Sequence, residues 1–198
     1  MGDDVPTASI EGIRAAQAAL LADLDGLTDA QARQPSALPG WSVGHVLTHI
    51  ARNGDSVVRR LDGAARGEVL DQYVGGVAGR AADIEAGADR PAAELVDDVR
   101  TSAAGVEASI DRYPASAWEA LSRGSKDGLG TSRQVVFGRW REVAVHHADL
   151  GLGAVALPPA LVEAWLPEEL AGLAGRTDPP HLLLWILGRG PAPELESW

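Results

Sequence analysis

The chain has 198 residues, 45% of them hydrophobic, enough for one domain with a full core or one domain with a small appendage. Its formal net charge of −11 argues against a nucleic-acid partner, which needs clustered Lys and Arg, and makes any anionic substrate depend on a local arginine. No cysteine is present, which excludes disulfides, cysteine-bound zinc and a cysteine nucleophile, and no apolar run reaches membrane-spanning length. The acidic start, Met1-Gly2-Asp3-Asp4, lacks the basic opening of a signal peptide, so a cytoplasmic protein with no membrane partner is expected.

Residues 8–24 read as a helix, with Ile10, Ile13, Ala16, Leu20, Leu21 and Leu24 at helical spacing. Thr28-Asp29-Ala30-Gln31 has the form of a short capped turn, and Leu38-Pro39-Gly40-Trp41 that of a tight turn delivering Trp41 to a packed position. Ser42 is an N-cap for a long second helix over residues 43–66, whose apolar stripe is Val43, Val46, Leu47, Ile50, Val57 and Leu61. His49 lies at the edge of that stripe and points inward; Gly54 is a weak point mid-helix. Residues 67–79 read as a loop and 80–86 as a short helix. Pro91 sits where an N1 proline belongs, opening a third long helix that runs to about Tyr113 and stops at Pro114. Residues 122–130 are glycine-rich and read as a surface loop.

Thr131 or Ser132 caps a fourth long helix ending at Gly151 and Gly153. Four long amphipathic helices without strand alternation predict an all-α four-helix bundle, an architecture that builds metal sites from facing helices. Leu157-Pro158-Pro159 then divides residues 1–155 from an appendage, 156–198, of α or α+β structure. Within it, residues 161–166 and 168–173 read as helical, Asp178-Pro179-Pro180 as a break, and 181–189 as a compact apolar helix. The appendage is too short to fold alone and is expected to pack on the bundle.

The chemistry converges on the fourth helix. Glu142 and His146 are four residues apart, which puts a carboxylate and an imidazole on one face, one turn apart. By itself such a pair is more often a solvated surface pair. His49, on an inward edge of another long helix, needs a partner and supplies a third donor. Two histidines and one carboxylate form a zinc site of the open, catalytic type. Two rivals stand beside this set: His45, at helical spacing from His49, and His147, about a hundred degrees around the helix from His146. His147 is read as lining the pocket or packing. Asp149, three residues after His146, can orient a ligand or cap the helix end. Arg80, Arg139, Arg141 and Arg189 are candidate carboxylate clamps, with salt-bridged surface arginines as the plainer reading. Trp41, Trp140 and Trp185 are read as core, and His181 as a polar residue opening its helix.

Three tracts carry a family resemblance: residues 38–53 (Leu38-Pro39-Gly40-Trp41-Ser42-Val43-Gly44-His45 through Asn53), residues 80–88 followed by 90–95, and Arg141-Glu142-Val143-Ala144-Val145-His146-His147-Ala148-Asp149-Leu150-Gly151. In these the chain resembles the mycothiol-dependent maleylpyruvate isomerase family, within the DinB-like superfamily of metal-binding four-helix bundles. The resemblance implies a metal triad of His49, Glu142 and His146, with His45, Asn53, Arg80, Arg141, His147 and Asp149 as surrounding or pocket residues. It also implies a C-terminal substrate arginine, carried over to Arg189 in a C-terminal domain that is abbreviated here.

The activity implied is a zinc- and mycothiol-dependent isomerisation of maleylpyruvate, or a related unsaturated acid, to fumarylpyruvate by thiolate addition and elimination. The implied partners are a small thiol and a small unsaturated carboxylate, with no nucleic acid, in a monomer or homodimer. Two alternatives stay open: a mycothiol S-transferase acting on another electrophile, and a non-enzymatic metal- or ligand-binding DinB-like protein. A pocket closed by Trp or Leu side chains would favour the latter.

Overall fold

The computed structural model describes residues 5–124 and 128–195. The acidic start at residues 1–4, and residues 125–127 of the segment read as a loop, lie outside the described residues. The chain divides into two compact units, Met1–Ala156 and Leu157–Trp198.

The first unit is a four-helix bundle. Its long helices are α1 (Thr7–Asp23), α3 (Val43–Ala65), α5 (Ala92–Asp111) and α6 (Ser132–Asp149); the one-turn α2 (Asp29–Ala32) and α4 (Gly76–Gly87) fill the connections. Contacts run from α1 to α6, α6 to α3, α3 to α5 and α5 back to α1, so the four close into a ring around one core. The apolar stripe of α3 is the centre of that core: Val43, Val46, Leu47, Val57 and Leu61 are fully buried and Ile50 nearly so. Capping boxes start three helices, pairing Thr28 with Gln31, Ser42 with His45 and Thr131 with Gln134, as the Ser/Thr-x-x pattern anticipates.

Several boundaries differ from the sequence reading. Helix α4 begins at Gly76, inside the stretch read as loop, because Gly75 and Gly76 take positive φ and turn the chain directly into the helix. Pro91 is the N-cap residue of α5 rather than N1, and the amide of Ala92 is satisfied by Asp29 Oδ1 at 2.7 Å. Two short antiparallel strands lie within the segment where a plain loop was expected. Strand β1 (Leu121–Arg123) pairs with β2 (Leu129–Thr131), Leu121 facing Thr131. Gly54 is a close-approach position: a Cβ there would lie 3.0 Å from Ser102 Oγ and 3.2 Å from Arg139 Nη2.

The second unit's described secondary structure is helical. Helix α7 (Pro159–Gly172) runs through Pro167, where two separate helices were expected. The proline ring fixes φ near the helical value, so an exposed helix loses a hydrogen bond there without being forced to end. Helix α8 (Pro179–Ile186) starts on the Asp-Pro-Pro tract rather than after it. Asp178 accepts from the His181 amide, and the prolines occupy positions that have no hydrogen bond to lose. Trp185, read as core, is 43% exposed, whereas Trp140 is buried. No described helix is long and apolar enough to cross a membrane.

Candidate metal centre

Helix α3 buries a second row beside its apolar stripe. His49, Asn53, Ser56 and Arg60 recur at intervals of four, three and four residues, so they share one face. All four are buried. This polar row faces α6. His49 Nε2 lies 3.0 Å from Glu142 Oε2, and His146 Nε2 lies 3.5 Å from the same oxygen. The two imidazole rings meet edge to face with centroids 4.5 Å apart. One donor atom from each of His49, Glu142 and His146 lies within 4.8 Å of the others.

The surroundings hold this geometry. His146 Nδ1 is bonded to Asp149 Oδ2 at 2.8 Å, which fixes the ring and turns Nε2 towards Glu142. The acidic Asp149, unfavourable by itself at a helix C-terminus, gains its partner there. Its backbone carbonyl accepts from Ala37, tying the segment before α3 to the end of α6. In that segment Gly40 has φ of +79° and Trp41 donates back to the Leu38 carbonyl, a Pro-Gly turn that sets the Trp41 ring 5.7 Å from His49. Arg80 from α4 lies over both Trp41 and Tyr73, and its Nη2 donates to His49 Nδ1 at 3.1 Å.

Charge is distributed unevenly across the three groups. Burial lowers the His49 pKa, and the nearby His146 and Arg80 add to that against the opposing pull of Glu142. Burial alone would raise the Glu142 carboxyl, but hydrogen bonds from His146 and His49 outweigh it and hold the group well below the usual carboxylate range. Burial also works against a charged His146, yet Asp149 and Glu142 overcome it and push the pKa up to about 9. Without a metal the site is therefore an imidazolium, a carboxylate and a neutral imidazole.

This donor set fits a divalent ion of the zinc type: two imidazoles and one carboxylate, one imidazole oriented by a carboxylate behind it. The fit asks for one rearrangement. With Arg80 donating to Nδ1, the neutral His49 carries its proton on Nε2; ligation through Nε2 requires the other tautomer, and an Nδ1–H has nothing to offer an arginine donor.

The remaining predicted residues divide into those near the triad and those placed elsewhere. Asn53 lies one turn below His49, where its Oδ1 accepts from Arg139 Nη1 at 2.9 Å. His45 is the N3 residue of the α3 capping box: its Nδ1 accepts from the Ser42 amide, and its Nε2 lies 3.4 Å from Glu85. That leaves it outside the triad. His147 turns away towards α1 and binds Asp23 Oδ2 at 2.9 Å, so it packs against that helix. Arg189 belongs to the second unit, where its Nη1 donates to the Leu187 carbonyl.

A cavity of about 330 Å³ opens beside Glu142, between the paired strands and the facing surfaces of α3 and α6. Asn53, Arg60, Ser122, Arg139, Arg141 and Glu142 are among its lining residues. Of these, Arg60 escaped the sequence reading. Only its place in the four-residue rhythm below His49 and Asn53 marked it as inward-facing.

A family profile described as the mycothiol maleylpyruvate isomerase N-terminal domain matches residues 13–151. Among solved structures, the chain is similar to the crystal structure of the mycothiol-dependent maleylpyruvate isomerase, with a TM-score of 0.74 and 22% identity over 81% of this chain and 68% of that one. The crystal structure of a histidine-to-alanine mutant of that isomerase matches equally well, with a TM-score of 0.74. A search of curated protein sequences found no match.

Proposed function

The chain belongs to the mycothiol maleylpyruvate isomerase N-terminal domain family, and from that premise we propose that it is a zinc- and mycothiol-dependent isomerase of maleylpyruvate or a related unsaturated acid. The observation that carries the reading is the meeting of His49, Glu142 and His146 beside an arginine-lined cavity. A site built only to brace the bundle would have its carboxylate sealed; the Glu142 side chain is a quarter exposed and borders open space. Among the described residues lining that cavity, Leu129 is the one Trp or Leu, which disfavours a purely structural metal site.

His49, Glu142 and His146 would hold the ion, and Asp149 would keep His146 in the tautomer that presents Nε2. An ion there would lower the pKa of a small thiol and keep it as thiolate near neutral pH. The chain has no thiol of its own, so the nucleophile would come from outside. Trp41 packs against the outer side of His49, and Arg80, once released from Nδ1, is a cation free to meet a carboxylate.

The test is an isomerisation assay on chelated and on zinc-reloaded protein, with and without mycothiol. Strict dependence on both, lost in His49→Ala, is expected. Full activity in that variant, or in the absence of thiol, would overturn the reading. Release of a stable thioether in place of the trans acid would assign an S-transferase on the same site.

A further inference from the structure

Arg60 is the least explained charge in the bundle. It is 8% exposed, on the buried face of α3, and among the described residues its one hydrogen bond runs from Nε to the Ser56 carbonyl at 3.3 Å. Among the described residues no carboxylate lies within ion-pair distance of it. A buried guanidinium without a counter-ion is costly, because desolvation is not repaid by a partner. Exposed arginines elsewhere find one: Arg14 pairs with Asp111 and Arg112 with Asp62.

The surroundings add to the imbalance. Arg139, nearly sealed in the core, has its Nη atoms on the Ile50 carbonyl, Asn53 and Gln17, all neutral acceptors. Among the described residues its hydrogen bonds reach no carboxylate, and Glu142 and Asp55 act on its charge only through space. Burial lowers both arginines to about 10, which leaves them charged at neutral pH. Of the carboxylates that act on Arg139 from a distance, Asp55 is paired with Arg52 and Glu142 is engaged by His49 and His146. Three arginines, Arg60, Arg139 and Arg141, thus line a cavity whose one acidic wall among the described residues is Glu142, in a protein of net charge −11. A locally positive, polar, concave site in a negative molecule is the arrangement that selects an anion by position rather than by bulk attraction.

We propose that this cavity is a carboxylate subsite, with Arg60 as the side chain that contacts the anion and Arg139 as a fixed charge behind it. The ligand class is a small organic acid. The proposal rests on the function proposed above in one respect: a carboxylate held here would belong to the acid whose chemistry takes place at the neighbouring triad. Binding of the anion itself needs only the cavity and its arginines. The two readings can therefore fail separately.

The probe is maleate, a small unsaturated dicarboxylate, titrated into chelator-treated protein at constant ionic strength. Binding is followed by NMR through the maleate vinyl protons and the arginine Nε–H resonances. We expect saturable binding that shifts the Arg60 Nε–H resonance. Arg60→Met should weaken binding at least about tenfold, the usual scale for losing a hydrogen bond to a charged group, and Arg60→Lys should restore part of it. Arg14→Met, at an exposed ion pair, should leave it unchanged. Circular dichroism and thermal unfolding confirm that each variant is folded. Should Arg60→Met fail to fold, the resonance shift in the unaltered protein decides alone. Wild-type affinity in a folded Arg60→Met variant, a maleate response that leaves the Arg60 resonance in place, or no binding at millimolar maleate would overturn the proposal. Binding to the chelated protein that depends on Arg60 upholds the subsite even if zinc or thiol dependence fails.

Discussion

His146 decides how the triad responds to pH. Its imidazole holds a proton up to about pH 9, because Asp149 and Glu142 outweigh the effect of burial. A metal ion can take Nε2 only after that proton leaves. Zinc affinity is therefore expected to rise about tenfold per pH unit from neutrality towards pH 9 and to level off above it. His49, already neutral there, adds no further proton. Competition with a zinc-sensitive dye between pH 7 and 10 measures the slope; a flat profile would show that His146 is not a ligand. Asp149→Asn should lower the pH at which the curve levels off and weaken the plateau about 10- to 100-fold, the usual effect of losing a group that orients a ligand. In metal-free protein the same raised pKa stabilises the fold fully below the unfolded value near 6.5, and that contribution is lost as pH rises through about 9. Glu142 and His146 were legible from their i, i+4 spacing, but this proton was not, since it comes from a hydrogen bond only the folded helix end creates.

Helix α3 shows where element-level reading succeeds and where it stops. Its apolar stripe follows from spacing, and all six positions are buried as the period requires. The polar row did not stand out, because Ser56 and Arg60 are residue types that are usually exposed. The pairing of Leu121–Arg123 with Leu129–Thr131 was missed for a related reason: strands of three residues, one centred on a glycine, are too short to alternate visibly. The end of α3 that bears His45 depends on Ser42, whose hydroxyl accepts from the His45 amide while the His45 ring accepts from the Ser42 amide. Ser42→Ala should cost about 1 kcal/mol, read as a lower midpoint in urea unfolding. His49 lies two turns into the same helix, so zinc affinity should change little. A loss of zinc with unchanged stability would instead place Ser42 in the site's own machinery.

At the scale of the whole molecule, the triad, the Trp41 turn and the Arg60 cavity all lie within Met1–Ala156, which also contains the closed ring of four helices. Leu157–Trp198 carries Arg189, whose guanidinium is bonded to the Leu187 carbonyl of its own unit. Metal holding and substrate holding can therefore be separated by where the chain is cut. A version ending at residue 156 should bind one zinc with affinity within about tenfold of the full chain, since each ligand and the residue behind His146 remain. If Arg189 serves the substrate, that version and the full-length Arg189→Ala variant should lose isomerisation in parallel while both keep zinc. Equal activity in Arg189→Ala and the unaltered chain would remove Arg189 from the reaction and leave the arginines beside Glu142 as its carboxylate-holding groups. Loss of zinc in the shortened version alone, with its helical content intact, would show that the second unit supports the metal site itself.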